Sequence, residues 1–524
     1  MTVTVTLHGD SLESSQSQAL AALKADGVAA RLLAHDATLW GPDAEAESAI
    51  RLGWLDAVAV SRQLLAPLLA LREAFRAEGV DHVVLCGMGG SSLAPEVICR
   101  SAGVPLMVLD STHPDQVRAA VNSSDLSRTV VVCSSKSGGT LETDSQRRVF
   151  DAAFRAAGID PRQRIVVVTD PGSPFEQLAK DEGYRAVFLA DPHVGGRYSA
   201  LTAFGLVPSA LAGADVGALL DEAQRALEGL ADDGNPALQL GAALGADGRD
   251  KIVLNAAGSP LEGFGDWAEQ LIAESTGKLG RGLLPVVVGL DSPELHSPAT
   301  DLHVIRIGPE LPPLGTAVTG SLGEQFLTWE YAVAVSGRLL GINPFDQPDV
   351  ESAKQAARGL LDATPEPDRP LFVDGGVQVF ASPGWLDGPQ TLVGAVDALL
   401  ATLAPRGYLA VMAYLDRLRD GALDGVRDPL AQRTHRPVTF GWGPRFLHST
   451  GQFHKGGPAI GSFVQITGLV AHDLQIPDRP FSFGTLIAAQ AAGDAKVLAG
   501  HGRPVLRLHL TSQEGLIQVQ KALT

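Results

Sequence analysis

Short apolar runs alternate with segments of helical periodicity from His82 to about Ala190. The apolar runs read as strands, and the segments between them carry apolar residues at helical spacing. Strand and helix patterns in turn predict βαβ units and a parallel sheet. A helical region near residues 203–231 follows, so we predict a first doubly wound phosphate-binding domain at residues 79–232.

A second alternating series predicts another domain of the same kind at residues 233–362. It contains apolar runs that begin at Lys251, Leu283 and Leu302, and then a long helical pattern at 323–340. Each run again precedes or follows a helical segment, as in a doubly wound sheet. The fold class expected for the chain is therefore α/β, with two tandem parallel-sheet domains.

The two ends of the chain are expected to be extensions of these domains. Residues 1–78 alternate Ala and Leu with charges at helical spacing, which predicts a helical N-terminal extension. Residues 363–524 follow the second predicted domain, and this last part begins with a Pro-rich acidic break at 363–370. That last part contains further strand and helix patterns around a loop-rich stretch near 439–457, and we predict a C-terminal α/β extension that completes the site.

Composition and charge exclude some classes of partner. The chain has 524 residues, of which 45% are hydrophobic and 19% are charged, as in an ordinary soluble protein. Its net charge of −18 argues against nucleic acid, because proteins that bind nucleic acid present a basic face. A small anion stays compatible with this charge, since backbone N–H groups and a few local cations are enough to bind it.

The cysteines and the N-terminus indicate the cytoplasm. Cys86, Cys99 and Cys133 show neither a disulfide framework nor a paired metal-binding spacing, so we predict three core thiols in a reducing compartment. The N-terminus lacks the pattern of a secretory signal, and we expect no apolar run to approach the roughly 18 residues of a membrane span. We therefore expect no membrane partner.

A loop at Gly87–Ser92 follows the first apolar run and opens a helical pattern. Such a loop directs N–H groups outward at the positive end of a helix dipole, which predicts an anion site. A dinucleotide-binding fold is the alternative, because Asp110 ends the next run where a ribose-binding acid is found. Ser92 replaces the third glycine of that motif, which counts against the alternative.

A second loop, Ser134–Thr140, is richer in phosphate-binding chemistry. It combines several hydroxyl residues, two glycines and one lysine after a buried apolar run. These short donors suit the oxygens of a phosphate monoester. A plain Ser/Gly turn that caps the helix is the alternative. Because loops at the carboxyl ends of parallel strands converge on a ligand, two such loops together favour a phosphate site.

Two further segments carry candidates for chemistry. Gly195-Gly196-Arg197 places an arginine where the backbone allows close approach, so Arg197 could face a developing oxyanion, although a surface turn is the alternative. Glu274 ends a helical pattern that Gly277 is expected to cap, and the negative end of the dipole there raises a carboxyl pKa. Such a carboxylate suits a general base, while a surface pair with Lys278 is the alternative.

Five segments, in order, resemble motifs of the glucose-6-phosphate isomerase family. They extend from about residue 83 to 354, and together they are far more specific than any one alone. The segment GMGGSSLAP resembles the family's GxGGSxLGP, SKSGGTLET its SKTxTTxET phosphate loop, GGRYSALTAFGL its GGRYSxxSAxGL, AESTGK its ESNGK, and FDQPDVESAK its FDQxGVELGK.

The resemblance implies two sugar-isomerase (SIS-type) domains in a homodimer that interconverts glucose 6-phosphate and fructose 6-phosphate through an enediol. Neither a metal nor a nucleotide cofactor is expected. Arg197 is implied to stabilise the enediolate, and Glu274 to carry the proton between C1 and C2, with Lys354 as a further catalytic residue. The residues implied to bind the phosphate or the rest of the substrate are Ser91, Ser135, Lys136, Ser137, Thr140, Gly196 and Gln347.

One family residue is missing from its place. The family has a ring-opening histidine in TNGQHSFYQ, supplied across the dimer, but the corresponding stretch here contains Gln325 and no histidine. The segment 448–457 echoes that motif and resembles the isomerase part of transaldolase fusions. We therefore predict His454 as the ring-opening acid and base, with Lys354 as the competitor and a purely structural histidine as the alternative.

Two other functions stay open from the sequence. A related isomerase could act on mannose 6-phosphate or on both epimers. A non-catalytic sugar-phosphate sensor could keep the phosphate loops alone, but the presence of Glu274, Arg197 and Lys354 together argues against it, since a sensor needs only the anion site.

Overall fold

The structure is a computed structural model that describes residues 3–246, 248–296, 299–362 and 368–524. Residues 363–367 of the predicted acidic break lie outside this part. The N-terminal segment was predicted to be helical, and its first element contradicts that prediction: Thr4–His8 is a strand. The elements of this segment are β1 (Thr4–His8), α1 (Asp10–Ala25), α2 (Val28–Leu33), α3 (Pro42–Ser48), α4 (Ala57–Ser61) and α5 (Leu65–Ala77).

The first sheet is parallel throughout and is built from the predicted apolar runs. Its strands are β2 (His82–Gly87), β3 (Met107–Leu109), β4 (Thr129–Ser134), β5 (Ile165–Thr169) and β6 (Ala186–Leu189), in the order β3-β2-β4-β5-β6. Every residue of β4 and β5 is buried, as expected for central strands covered on both faces. The accompanying helices are α6 (Leu93–Ser101), α7 (Pro114–Ser123), α8 (Leu141–Ala156), α9 (Pro174–Glu182) and α10 (Ala203–Ala212).

The second sheet incorporates the N-terminal strand. Its order is β1-β10-β9-β7-β8, with β1 antiparallel to β10 and the other pairs parallel. Here β7 is Lys251–Asn255, β8 Leu284–Val287, β9 Leu302–Ile307 and β10 Gly315–Thr319. The helices are α11 (Val216–Gly229), α12 (Pro236–Ala246), α13 (Phe264–Thr276), α14 (Pro293–His296), α15 (Leu322–Leu340) and α16 (Pro348–Asp362).

The C-terminal region has a sheet of its own, with six strands. The order is β11-β12-β16-β15-β13-β14, in which β13 to β16 are parallel. The stretch expected to be loop-rich contributes both a strand, β14, and a helix, α19. The elements are β11 (Phe372–Asp374), β12 (Val377–Ala381), α17 (Leu392–Leu400), β13 (Tyr408–Tyr414), α18 (Arg427–Thr434), β14 (Val438–Trp442), α19 (Gly451–Gly456), β15 (Gly461–Gly468), α20 (Phe483–Gly500), β16 (Val505–Leu510) and α21 (Gln513–Leu523).

Apolar packing joins the three sheets. One cluster of buried side chains runs through the first and second domains, and another fills one face of the third sheet. A third cluster lies between the second and third sheets, where Val253, Leu284 and Val304 meet Tyr408 and Phe463. The three cysteines are buried and free, which confirms the prediction of core thiols.

The helical run from Leu52 to Ala77 is an exception to the expectation that no apolar run approaches the length of a membrane span. It is long and apolar enough to cross a membrane by length and composition alone. The run combines α4 and α5 with short 3₁₀ segments, and its residues Trp54, Leu68 and Phe75 are buried in the core of the first domain. Burial of these side chains gives the run a packing role inside this fold.

Candidate active site

The two predicted loops lie side by side at the carboxyl edge of the first sheet. Strands β2 and β4 are neighbours, and their last residues, Gly87 and Ser134, face each other in the register. The first loop continues as a short 3₁₀ turn that contains the buried Ser91. Asp110 is held by Arg445 at 2.5 Å and Arg417 at 3.3 Å, so its carboxylate is already engaged, which disfavours the dinucleotide alternative.

The second loop forms one wall of a cleft of about 330 Å³. Ser137 and Thr140 line this cleft, and Ser135 donates a hydrogen bond to Thr140 over 2.9 Å. The loop opens directly into α8, so the positive end of that helix lies at the wall. Gly138 has φ +69°, and an added Cβ would lie 2.8 Å from the backbone nitrogen of Phe175. The loop geometry therefore requires glycine there.

Lys136 does not direct its charge into the cleft. Its Nζ lies 2.6 Å from Asp170, at the end of β5, and also reaches the carbonyl of Pro192. Burial lowers the pKa of Lys136, although the bond to Asp170 opposes this effect. The prediction that the Lys136 side chain anchors the phosphate is therefore corrected. The carboxylate of Asp170 instead compensates the positive charge of Lys136.

Helix α16 supplies two cations to the lining of the cleft. Lys354 and Arg358 lie one helical turn apart and both line it. The charge of Lys354 acts on two carboxyl groups of the site, those of Glu142 and Glu274. Sequence reasoning singled out Lys354 but missed Arg358, which its position four residues later on one helix face could have indicated.

Arg197 is fixed by a dense set of contacts. It is buried, its Nε donates to Ser275 over 2.9 Å, and its Nη1 donates to Gln347 over 2.8 Å. Its Nη2 donates to the carbonyls of Pro344 and Asp346. The surface-turn alternative is wrong for this residue, because the guanidinium is held rigidly between the first and second domains.

Close backbone contact joins the arginine loop to the first loop. A Cβ added at Gly90 would lie 2.1 Å from the carbonyl oxygen of Gly196. A Cβ added at Gly89 would approach both Gln270 and the carbonyl of His448 at 2.8 Å. Glycines at these positions thus allow three segments from distant parts of the chain to meet.

Glu274 lies in the last turn of α13 beside Arg197. Its Oε2 is 3.5 Å from Nη1 of Arg197, and both side chains are buried. Burial raises the pKa of Glu274, while the charges of Arg197, His448 and Lys354 partly oppose the rise. The alternative pair with Lys278 is not formed, since the Lys278 amine lies 2.6 Å from Asp346. A buried carboxylate with a raised pKa suits general base chemistry.

The end of α13 is held by the C-terminal domain. Gly277 caps the helix as predicted, but with φ −77° it is not left-handed. Glycine is needed there because a Cβ would lie 2.4 Å from the Cα of Phe453. Gln452 donates to the carbonyl of Gly277 over 2.9 Å and to Asp349 over 2.7 Å, so it links the end of α13 to the start of α16.

His454 lies in an apolar core and not in the cleft, which corrects its assignment. Its Nδ1 is 2.9 Å from the hydroxyl of Tyr408, whose ring it stacks on, and its ring also packs edge-on against Phe463. Burial lowers its pKa well below the usual range. The alternative of a structural histidine is therefore the one that the structure supports.

His448 occupies the position in the cleft that His454 was expected to fill. Its Nε2 lies 3.0 Å from Oε1 of Glu142, and both residues line the cleft. Gln490 from α20 donates to the same carboxylate oxygen over 2.7 Å. Burial alone would raise the pKa of Glu142, but the hydrogen bond and charge of His448 bring it below its usual range.

Known proteins resemble this chain in sequence. A probable glucose-6-phosphate isomerase of Natronomonas pharaonis is 31% identical over 351 residues, which are 56% of this chain and 82% of that protein. The glucose-6-phosphate isomerase of Rubrobacter xylanophilus is 29% identical over 371 residues, with shares of 56% and 86%. A probable glucose-6-phosphate isomerase of Haloarcula marismortui is 35% identical over 236 residues, so the matched part spans about half, 53%, of that relative. No family model matches the chain.

Solved structures share the fold. A hypothetical protein from Thermus thermophilus superposes with a TM-score of 0.60 at 26% identity, over 69% of this chain and 100% of that one. A glucose-6-phosphate isomerase from Chlamydia trachomatis superposes with a TM-score of 0.53 at 19% identity, over 70% and 90%. The fold and the cleft together define an α/β protein of the phosphosugar isomerase class. The chain belongs to the glucose-6-phosphate isomerase family, and the closer link to transaldolase fusions stays a prediction.

Proposed function

We propose that this protein interconverts glucose 6-phosphate and fructose 6-phosphate. The observation that carries the proposal is the buried pair of Glu274 and Arg197, 3.5 Å apart, within reach of the charges of Lys354 and His448. A base and a fixed cation side by side are what an enediol mechanism needs, since the base moves a proton while the cation stabilises the oxygen that becomes negative.

Binding of the phosphate positions the sugar for this chemistry. Ser137, Thr140 and the start of α8 would hold the phosphate, together with Lys354 and Arg358, which line the same cleft. Binding energy at this non-reacting end fixes C1 and C2 against the base. Glu274 then removes the proton from C2 and returns it to C1, and Arg197 stabilises the enediolate oxygen between the two steps.

Ring opening falls to His448 in this proposal. A group that opens the pyranose must move a proton between the 1-hydroxyl and the ring oxygen, and an imidazole does this near neutral pH. Glu142 accepts a hydrogen bond from the imidazole and so orients it toward the cleft. Lys354 remains the competing residue for this step, because it lines the same cleft.

The proposal extends to cell location and assembly. Free, buried cysteines are typical of a reducing compartment, so we place the enzyme in the cytoplasm, in glycolysis and gluconeogenesis. We also propose a homodimer, as the family resemblance implies. Sedimentation of the purified protein tests the dimer, and assays with mannose 6-phosphate test whether both epimers are substrates.

The substitution Glu274→Gln tests the proposed reaction. It keeps the shape of the side chain but removes the base, so turnover should fall by about 10³-fold or more, and exchange of the C2 proton with solvent should fall equally. Binding of fructose 6-phosphate, measured by calorimetry, should change only a few-fold. Glu269→Gln on the same helix is the matched control. Near-normal turnover in Glu274→Gln would show that the mechanism is wrong.

A further inference from the structure

A groove of about 690 Å³ lies on the third domain, apart from the active-site cleft. Helix α20 forms one side, and the open face of the third sheet forms the other. The wall from α20 consists largely of small residues, among them Ala488, Ala491, Ala492 and Ala495, which leave room above the sheet. A groove of this volume is typical of small-molecule sites.

Two cations and one carboxylate line the groove: Lys496, Arg507 and Asp368, the last being the one acidic residue among the described lining residues. His509 also lines it, but burial and the charge of Arg507 lower the pKa of this imidazole. Asp368 pairs with Arg507 at 2.7 Å, so the pair carries no net charge and Lys496 supplies the excess positive charge of the groove. No described carboxylate lies within ion-pair distance of Lys496. A ligand with a negative group is therefore favoured at the Lys496 end.

The rest of the lining suits a flat body that can form hydrogen bonds. The guanidinium of Arg507 lies over the Phe380 ring, 5.0 Å from its centroid, and both planar groups line the groove. Gln378 adds an amide group along the sheet, while the amide nitrogen of Gln465 donates to the carbonyl of Ala491 over 2.8 Å. At another point of the lining, His113 is buried and its Nδ1 has no hydrogen-bond partner among the described residues. Such an orphaned polar atom is expected to meet a ligand or water.

The groove and the active-site cleft share two helices. On α20, Gln490 lines the cleft while the adjacent Ala491 lines the groove. On α16, Lys354 lines the cleft and Leu360 lines the groove. The two helices pack tightly, since a Cβ added at Gly493 would lie 2.9 Å from the backbone nitrogen of Ala357. A ligand in the groove would therefore contact the same elements that position Glu142 and Lys354.

We propose that this groove is a second binding site, for an organic phosphate with a planar, hydrogen-bonding body. The phosphate group lies at the Lys496 end, and the body lies between Phe380 and the alanines of α20. This site goes beyond the proposed isomerase function and does not depend on it. Adenosine 5′-monophosphate is the probe, and inorganic phosphate tests whether the anion alone accounts for binding.

Calorimetry on the full chain and four variants tests the proposal. Lys496→Glu reverses the charge at the Lys496 end, and Ala492→Trp fills the groove, so each should weaken adenosine monophosphate binding by about tenfold or more. Lys521→Glu, a charge reversal at another exposed lysine, on α21, is the matched control and should change nothing. Ser137→Asp places a negative charge in the cleft and should abolish fructose 6-phosphate binding while adenosine monophosphate still binds. Melting temperatures establish that each variant is folded.

Three results would overturn the proposal. The first is no binding of adenosine monophosphate by the unaltered chain up to about 10 mM, since an affinity weaker than this is negligible. The second is binding that Ser137→Asp abolishes and the groove variants preserve, which would place the probe in the cleft. The third is equal affinity for inorganic phosphate, which would show that the planar body contributes nothing.

Discussion

The imidazole of His448 lies 3.0 Å from the carboxylate of Glu142, although 306 positions separate them in the chain. Glu142 belongs to the first turn of α8, directly after the Ser134–Thr140 loop, and His448 precedes α19 in the C-terminal region. The contact brings the C-terminal domain to the wall of the cleft. The candidate active site is thus assembled from elements that accompany all three sheets.

The first prediction compares two histidines, one in the cleft and one in the core. His448→Asn removes the proposed ring-opening group, so turnover of cyclic glucose 6-phosphate should fall by about 10²-fold or more. Proton exchange at C2 on the open-chain sugar should change much less, because Glu274 is untouched. Both rates are measured by NMR in deuterated buffer.

His454→Asn is the counterpart of that variant. It leaves the cleft intact but puts a polar amide against Tyr408 and Phe463, so the melting temperature should fall while the turnover of folded enzyme stays near normal. If His454→Asn impaired ring opening selectively and His448→Asn did not, the assignment of the two residues would be reversed.

The second prediction concerns the contact between the two glycine loops. Gly90→Ala inserts a Cβ only 2.1 Å from the carbonyl oxygen of Gly196, so one loop must move. Overpacking of this kind costs about 1–3 kcal/mol, and displacement of the neighbouring Arg197 should lower kcat as well. Chemical denaturation and steady-state kinetics measure the two effects. Gly359→Ala, where an added Cβ meets nothing within 4 Å, should lose neither stability nor activity.

The third prediction concerns a buried ion pair between the second and third domains. Asp301 lies 2.9 Å from the buried amine of Lys251 and 2.6 Å from Arg436. Asp301→Asn leaves the positive charge of Lys251 with Asp250 as its remaining acidic partner, so the free energy of unfolding should fall by about 3 kcal/mol. Urea denaturation at pH 7 measures this loss.

The pH dependence of that loss follows from the pKa of Asp301. Burial alone would raise this pKa, but the bonds from Arg436 and Lys251 outweigh it and bring the pKa to about 2. The stabilisation is therefore complete above the unfolded value near 4 and disappears as the pH falls through 2. A difference between the two proteins that stayed constant down to pH 2 would contradict this account.

The fourth prediction concerns Glu269 on α13, one of the carboxyl groups outside the proposed reaction. Burial raises its pKa to about 8, the charge of Asp266 adds to the rise, and a hydrogen bond from Ser449 opposes it. Because the folded state holds this proton more tightly than the unfolded state, stability should decrease as the pH rises from about 4.5 to 8. Glu269→Gln removes this dependence.

Denaturation of both proteins at several pH values measures the effect of Glu269. Between pH 5 and pH 8 the free energy of unfolding of the unaltered chain should fall by about 3 kcal/mol relative to that of Glu269→Gln. This value is smaller than the pKa change alone would give, because the Glu269 side chain is partly exposed. Parallel curves for the two proteins over this range would show that Glu269 keeps an ordinary pKa in the folded state.

Local pattern was enough to predict much of the fold and part of the site. The apolar runs at β2, β4, β5, β7 and β9 were correctly predicted as strands. A strand that is covered on both faces needs apolar residues at successive positions, and such a run can be recognised in the sequence. Ser137 and Thr140 line the cleft, and Arg197 lies 3.5 Å from Glu274, although neither of the latter two is among the described lining residues of the cleft. The roles of all four residues stay predictions. The N-terminal strand β1 escaped prediction because its partner, β10, lies more than 300 positions away.

The sequence by itself determined the α/β class and the candidate anion-binding loops, since each depends on a few neighbouring residues. That Arg197 and Glu274 lie 3.5 Å apart was decided by the tertiary structure, because 77 positions separate them. Only the tertiary structure decided between histidines: His448 and His454 are six positions apart, yet one meets Glu142 in the cleft and the other meets Tyr408 in the core. The tertiary structure also decided that the Lys136 amine pairs with Asp170. The physical reason is that a side chain's role depends on what packs against it, and its partners here come from distant parts of the chain.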